Sequence, residues 1–325
     1  MRITALAGGV GGARFLRGLI AAVPSAEITV VGNIGDDMTM HGLRICPDLD
    51  TVMYTLGGGI HEGQGWGRAE ETFGVAEELK AYGVGPDWFT LGDKDIATHL
   101  VRTQMLGAGY PLSAVTEALC TRWKLPVRLL PATDDRVETH VVIDDPEAPG
   151  GRRAVHFQEY WVRMHAPDAH AIVSVGADTA KPAPGVLAAI AEADVIVLPP
   201  SNPVVSIGTI LEIPGIRQAL ADAAAPVVGL SPIVGGGPVR GMADKVLAAV
   251  GVPVTAAAVA EHYGADLLDG WLVDAGADGD AVAEVEAAGI ACRAVPLLMS
   301  TPEATQAMAQ AALDLAAELS ARTAV

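Results

Sequence analysis

No stretch of 18 uncharged apolar residues occurs in the 325-residue chain, which excludes a membrane-spanning helix of ordinary length. The run after Arg2 is broken by glycines and by Arg14, so a signal-peptide pattern is missing too, and a cytoplasmic setting is expected. Cysteine is scarce: Cys46, Cys120 and Cys292 lie far apart without C-x-x-C spacing, which speaks against a disulfide framework or a zinc site and for reduced, mostly buried thiols. The eight histidines show neither H-x-x-H nor HExxH spacing, so a histidine metal site has little support. His140 and His156, on strand-like runs, read as structural or cleft-lining. A G-x-S-x-G elbow, the mark of one large class of serine hydrolases, does not occur, nor does any repeat, heptad series or low-complexity tract. Positive charge is also short, with 21 Lys and Arg against 39 Asp and Glu and a net charge of −18. Such a field disfavours nucleic acid and anionic membranes. A phosphate-bearing ligand is therefore expected to be small and to meet local positive charge, from Arg14 or from a metal ion.

Half the residues are hydrophobic, enough for a substantial core. Strand-like runs occur at 3–6, 28–31, 127–130, 137–143, 154–161, 171–175, 195–198, 227–230, 271–273 and 294–298. Several are continuously apolar, and alanine-rich helical segments separate the later ones, as in a parallel sheet covered on both faces. The expectation is a doubly wound, mostly parallel α/β fold of Rossmann type, forming a single nucleotide-binding core over 1–325. Two regions depart from that rhythm. One is a helical insertion at 51–125, with Asp95 and Ser113 as candidate N-caps. The other, at 127–162, pairs two strand patterns around the loop DDPEAPGGR. The tail from Pro302 reads as a packing helix.

The phrase GGVGGAR joins the first strand to a helical pattern at Phe15, Leu16, Leu19, Ile20 and Val23. Glycines there let backbone N–H groups approach a ligand, and a helix N-terminus suits phosphate. Neither the G-x-G-x-x-G nor the Walker pattern is complete. A guanidinium at Arg14, near a helix start, is electrostatically poor unless an anion is present. After the second strand, Asn33, Asp36 and Asp37 of NIGDD either grip a ligand at the carboxyl edge or form a plain Asx turn. Asp48 and Asp50 of PDLDT are either helix caps or, with Asp36 and Asp37, oxygen ligands for Mg²⁺. Placed at a loop edge, Asp50 is expected to add little to the core. PPSNPVVSIG and LSPIVGGGPVRG each follow a buried strand and place small polar groups or glycine where a nucleotide binds in such sheets. Trp66, flanked by glycines, is a candidate to stack on a flat ring.

LAGGVGGARFL, NIGDD, RICPDLDT, MYTLGGGI, LGDKDIATHLVR, HFQEYWV, PSNPVVSIG and SPIVGG together resemble the 2-phospho-L-lactate transferase family, CofD in archaea and FbiA in actinobacteria. The resemblance runs over essentially the whole chain and is closest to the actinobacterial branch. It implies transfer of a phospho-three-carbon-acid unit from a guanosine diphosphate conjugate to the ribityl 5′-hydroxyl of 7,8-didemethyl-8-hydroxy-5-deazariboflavin (Fo). GMP is released, in the biosynthesis of coenzyme F-420. The donor carries enolpyruvate in actinobacteria and lactate in archaea. It further implies that Gly9, Gly11, Gly12, Ala13, Arg14, Asn33, Asp36, Ser201, Asn202, Pro203, Ser231, Pro232, Ile233 and Gly235 hold the guanosine diphosphate part. Asp48, Asp50, Thr51, Trp66, Thr90, Leu91, Gly92 and Asp93 would face the acceptor. Asp37 and Asp50 would be catalytic and hold Mg²⁺, and the protein would be a homodimer. Two alternatives stand beside this reading: a non-catalytic UDP-sugar-binding regulator of the YvcK type and an NAD-dependent dehydrogenase.

Overall fold

The computed structural model describes residues 1–323, so the last two residues of the expected 1–325 core lie outside it. The first strand, β1 (Arg2–Ala7), is buried at every residue but its first, which is why its sequence is apolar rather than alternating. It runs into α1 (Gly9–Ala22), which buries Ala13, Phe15, Leu16 and Leu19. Next come β2 (Glu27–Gly32), a small antiparallel ribbon of β3 (Met38–Met40) and β4 (Leu43–Ile45), and α2 (Pro47–Leu56). Pro47 at the first helical position suits α2, because the N–H it lacks would have no partner there. Asp48 and Asp50 fall in the first turn of α2, on a helix rather than in the preceding loop, and the helix dipole favours them there.

Three further helices follow: α3 (Gly74–Ala81), which buries nothing, α4 (Asp93–Gly107) and α5 (Leu112–Trp123). Neither expected cap is one. α4 begins two residues before Asp95, and Ser113 lies inside α5, where its N–H and Oγ both donate to Asp134.

The chain continues through β5 (Arg128–Pro131), β6 (Glu138–Asp144), β7 (Arg152–His156), β8 (Ala169–Val175), β9 (Val195–Leu198) and β10 (Val227–Leu230). It then forms a two-stranded ribbon of β11 (Ile233–Val234) and β12 (Gly237–Pro238), followed by β13 (Gly270–Asp274) and β14 (Ala291–Val295). Seven strands form one parallel sheet in the order β14-β13-β10-β9-β1-β2-β5. From β1 the chain builds outward through β2 to β5, then returns to β9 on the other flank of β1. The strand order reverses there, and ligands bind in the crevice outside the carboxyl ends of the strands at such a switch point. The C-terminal helix Pro302–Thr323 packs against α1. The doubly wound α/β expectation is met.

The expected hairpin is a three-stranded antiparallel sheet, β7-β6-β8, with its own small core of Val141, Ile143, Val155, Phe157 and Tyr160. Of the run 154–161 only the first three residues are strand. His156 Nδ1 accepts the Gln158 N–H at 3.1 Å, ending the ladder, and Glu159–Arg163 coils into a wide helical turn. The last strand lies three residues earlier than 294–298, because Pro296 cannot donate to a ladder.

At the switch point a Cβ on Gly11 would collide with the carbonyl oxygen of Pro200 in the loop after β9, so only glycine lets the two segments meet. Gly11→Ala is expected to cost about 1–3 kcal/mol, since backbone rather than a flexible side chain must give way. Urea unfolding reads this, and wild-type stability would mean that the Pro200 loop yields freely.

Candidate active site

The turn after β1, the loop after β9 and the start of α2 meet in this crevice. Ser201 Oγ accepts from Gly8 N at 3.2 Å and donates to Gly8 O at 2.8 Å, locking loop to turn. Asn202 Oδ1 accepts from the N–H groups of Val204 and Val205. Ser231 Oγ closes a local turn with both backbone groups of Ile233. These polar groups shape the loops, with Pro203, Pro232 and Ile233 beside them. Gly235 is tied outward, donating to Asp278. Arg14 stands in the second turn of α1, so dipole repulsion, which fades within the first turn, is weaker than its nearness to the glycines suggests.

Four carboxylates are buried at this edge: Asp36, Asp37, Asp48 and Asp50. Asn33 organises the first group: its Nδ2 donates to Asp36 Oδ1 (3.2 Å), Asp48 Oδ2 (2.9 Å) and Val205 O (3.1 Å), while its Oδ1 accepts from Gly35 N. Asn33 is thereby fully used inside the protein. Asp48 also accepts from Gly9 N and Ser206, which places it at the glycine turn. Burial lifts its carboxyl to about 6 against those hydrogen bonds. Burial, then the charges of Asp48 and Asp37, raise Asp36 well above the usual range, although Gln158 Nε2 donates to its Oδ2 at 3.0 Å. Asp37 rises to about 7 through burial, despite Arg44 at 3.1 Å. His156 Nε2 donates to Asp37 O at 3.2 Å; its Nδ1 already accepts from Gln158, which fixes the tautomer.

Asp50 is not the loosely held loop carboxylate expected from the sequence. Its Oδ1 pairs directly with Arg102 Nη2, and both residues are buried. Burial lifts Asp50 above the ordinary carboxylate value, while Arg102 and His99 pull it down. Burial likewise opposes the Arg102 charge, yet Asp50 holds that guanidinium above the usual arginine value. Asp50, Asp95 and His99 come within 4.8 Å of one another, the geometry of a candidate metal group. However, His99 Nδ1 accepts from Arg102 Nη1 at 3.0 Å, so its Nε2 carries the proton and faces Asp95 Oδ2 at 3.3 Å. A protonated nitrogen cannot ligate, and Tyr54 Oη occupies Asp95 Oδ1 at 2.5 Å. The trio is held by its charges and by Arg102 rather than by a closed hydrogen-bond network, since His99 Nε2 and Asp50 Oδ2 have no hydrogen-bond partner.

Among the described residues three buried carboxylate oxygens have no hydrogen-bond partner, Asp37 Oδ1 and Asp50 Oδ2 in this cluster and Glu71 Oε2 outside it. The two acids are close enough for the Asp50 charge to lift Asp37. A free oxygen on each of two acids of one buried cluster is the hard-donor chemistry that Mg²⁺ takes.

The other expected acceptor residues are dispersed. Thr51 is buried in α2, and Leu91 packs with Met38, Met40 and Ile45. Thr90 is exposed, Gly92 precedes α4, and Asp93 accepts from Thr72 Oγ1 and from the N–H groups of Gly74 and Val75, which anchors α3. Trp66 is 53% exposed, as stacking on a flat ring requires. Sequence reasoning missed Arg44, Arg102, Gln158 and the Asp95–His99 pair. Asp95, His99 and Arg102 recur at the spacing of one helical face, which was a usable signal; Gln158 reaches Asp36 from the second sheet, with no local signal at all.

Comparison with known proteins adds the family. A crystal structure of a Bacillus halodurans protein of the UPF0052 family superposes with a TM-score of 0.62 over 96% of this chain and 99% of that one, at 18% identity, a likeness of fold. A Kitasatospora aureofaciens protein named phosphoenolpyruvate transferase is 74% identical over 98% of this chain and 99% of its own. Proteins of the same name from Thermobifida fusca and Mycolicibacterium smegmatis are 67% and 60% identical, covering 99% and 97% of this chain and 100% and 99% of theirs. The sequence profile of 2-phospho-L-lactate transferase CofD matches residues 3–297, and the chain belongs to that family.

Proposed function

We propose that the protein transfers a phosphoenolpyruvyl unit from a guanosine diphosphate conjugate to the ribityl hydroxyl of Fo, releasing GMP and forming dehydro-F-420-0. The full-length likeness to transferases of that name, one of them at 74% identity, carries the reading. The crevice supports it, since the glycine turn lies at the switch point of the parallel sheet, where ligands bind, beside buried, incompletely paired acids. In this reaction the acceptor oxygen attacks the phosphorus that bears enolpyruvate, and the bond to the bridging oxygen breaks. GMP leaves with that oxygen. In-line positioning and charge neutralisation suffice, without an enzyme nucleophile. Asp50 Oδ2 accepts or orients the hydroxyl proton, held in place by Arg102. Arg14 and the turn at Gly11 and Gly12 hold the diphosphate, and Trp66 covers the deazaflavin ring. Asp37 and Asp50 would hold Mg²⁺, and the chemistry such an ion supplies is neutralisation of diphosphate charge. A homodimer, implied by the family, belongs to the same proposal and is read by light scattering.

The deciding experiment incubates the protein with Fo, Mg²⁺ and either the enolpyruvyl or the lactyl guanosine conjugate, and identifies products by mass. The enolpyruvyl donor is expected to be preferred. The two acids differ in shape at one carbon, worth about 1–3 kcal/mol, so lactyl transfer should be slower but detectable. A kcat/KM favouring the lactyl donor reverses the donor assignment. No transfer from either, together with binding of UDP-N-acetylglucosamine in preference to GDP, replaces the enzyme with a regulator.

A further inference from the structure

The loop 61–67, between α2 and α3, folds back over the start of α1 and is held from three sides by arginines. Arg17 takes the Glu62 carboxylate with both terminal nitrogens, at 3.0 and 2.7 Å, and donates to Thr55 O. Arg14 reaches only Glu62 O, at 3.5 Å. Arg240, from the segment after β12, donates to Gln64 O. Among the described residues, neither Arg14 nor Arg240 forms an ion pair with a carboxylate, in a chain with nearly twice as many acids as bases. Their guanidiniums nonetheless converge. A Cβ at Gly65 would lie 3.3 Å from Arg240 Nη1, 3.4 Å from Arg14 Nη2 and 2.7 Å from Val10 Cγ1. Gly65 also has φ of 76°, so backbone conformation and crowding both require glycine where the two cations approach. Partial burial, then the charge of Arg14, holds the Arg240 guanidinium below its usual value. The Glu62 carboxylate, taken by Arg17, is also held below the usual range in part by Arg14, yet it forms no ion pair with Arg14 or Arg240; two guanidiniums so placed are favourable once an anion sits between them.

We propose that Arg240 and Arg14 form a two-guanidinium clamp for the diphosphate of the nucleotide donor, closed by the loop at Gly65. This rests on the donor reading above and adds to it a residue, Arg240, that lies far along the chain from the glycine turn. It explains why the loop carrying Trp66 is tied to both the first helix and the segment after β12. Engaging the donor phosphates and ordering the loop beside the acceptor then become one event.

The test is calorimetric titration of wild type, Arg14→Ala, Arg240→Ala and Arg240→Gln with GDP, guanosine and inorganic pyrophosphate. Each alanine variant is expected to bind GDP roughly 10–100-fold more weakly, the loss of a charge-assisted contact. Guanosine affinity should be unchanged. Glutamine retains a donor for Gln64 O without the charge, so Arg240→Gln should resemble Arg240→Ala. If it binds GDP like wild type, Arg240 merely ties the loop and the clamp is overturned. Unchanged GDP affinity in Arg240→Ala overturns it as well. Pyrophosphate separates this inference from the transferase reading. Wild type that binds pyrophosphate in an Arg240-dependent way but not GDP keeps the clamp and rejects the guanosine donor; wild type that binds neither rejects the clamp.

Discussion

Asp50→Asn is expected to destabilise the protein by about 3–5 kcal/mol and to slow transfer roughly 10²–10⁴-fold. The stability loss follows from Arg102, a residue only 1% exposed whose direct carboxylate partner is Asp50. Asparagine keeps the shape and removes the charge, leaving Arg102 buried with His99 Nδ1 and a long contact to Arg44 O. An uncompensated buried charge costs far more than a lost surface ion pair. The double variant Asp50→Asn/Arg102→Met separates the two effects. Removing the orphaned cation should restore most of the stability, because replacing both members of a buried pair by uncharged groups is often neutral, while turnover stays low. Urea midpoints and single-turnover rates measure the two readouts. Wild-type stability of the single variant would deny the pair its structural weight. Recovery of turnover in the double variant would mean that Asp50 serves only to neutralise Arg102.

Asp95, His99 and Arg102 show what was legible in the sequence and what was not. Their four-then-three spacing on an apolar-periodic segment places them on one face of α4, yet nothing local says that this face turns toward Asp50, 52 residues earlier than Arg102. The parallel sheet was readable because each strand buried on both faces carries a continuous apolar run. The switch point was readable in part, since the loops after β1, β2, β9 and β10 each end in glycine or small polar residues. Hydroxyls at Ser201 and Ser231 suggested ligand contacts, but both are consumed by backbone groups, a local competition that spacing alone does not reveal. Gln158 and His156 approach Asp36 and Asp37 only because strand β7 stops two residues before Gln158, and that ending depends on a bond between those same two residues. Arg240 comes to the glycine turn through a contact with the loop at Gln64, 176 residues away. Such long-range meetings are set by tertiary packing.

Raising the pH from 5 to 8 in the absence of divalent cations is expected to destabilise the protein by several kcal/mol. Asp37 and Asp48 have carboxyls raised by burial to about 7 and about 6, and Asp36 is raised in the same direction. In the unfolded chain these groups titrate near 3.9. Between the two limits the folded state therefore holds protons that the unfolded state has released. Stability is then fully present below about pH 4 and is lost as pH climbs through the folded values. At about 1.4 kcal/mol per unit, the shift at Asp37 corresponds to about 4 kcal/mol and that at Asp48 to about 3 kcal/mol. His156 and His262, lowered chiefly by burial, act oppositely, since their charging on acidification favours the unfolded chain. They soften the slope, but His262 is only half-buried and the carboxyl shifts are larger. Carboxylates with lowered values, such as Glu138 and Asp95, are ionised in both states across this range and leave the slope alone. Urea unfolding at pH 5 and pH 8 measures the difference, and Asp37→Asn should flatten it by removing one of the groups that must ionise in the core. Added Mg²⁺ should recover stability at pH 8 in the wild type and much less in Asp37→Asn, because the ion compensates the carboxylate charge that burial leaves exposed to no solvent. Stability that is flat or rising between pH 5 and pH 8 in metal-free buffer would show that these acids are hydrated in the folded state and form no buried cluster.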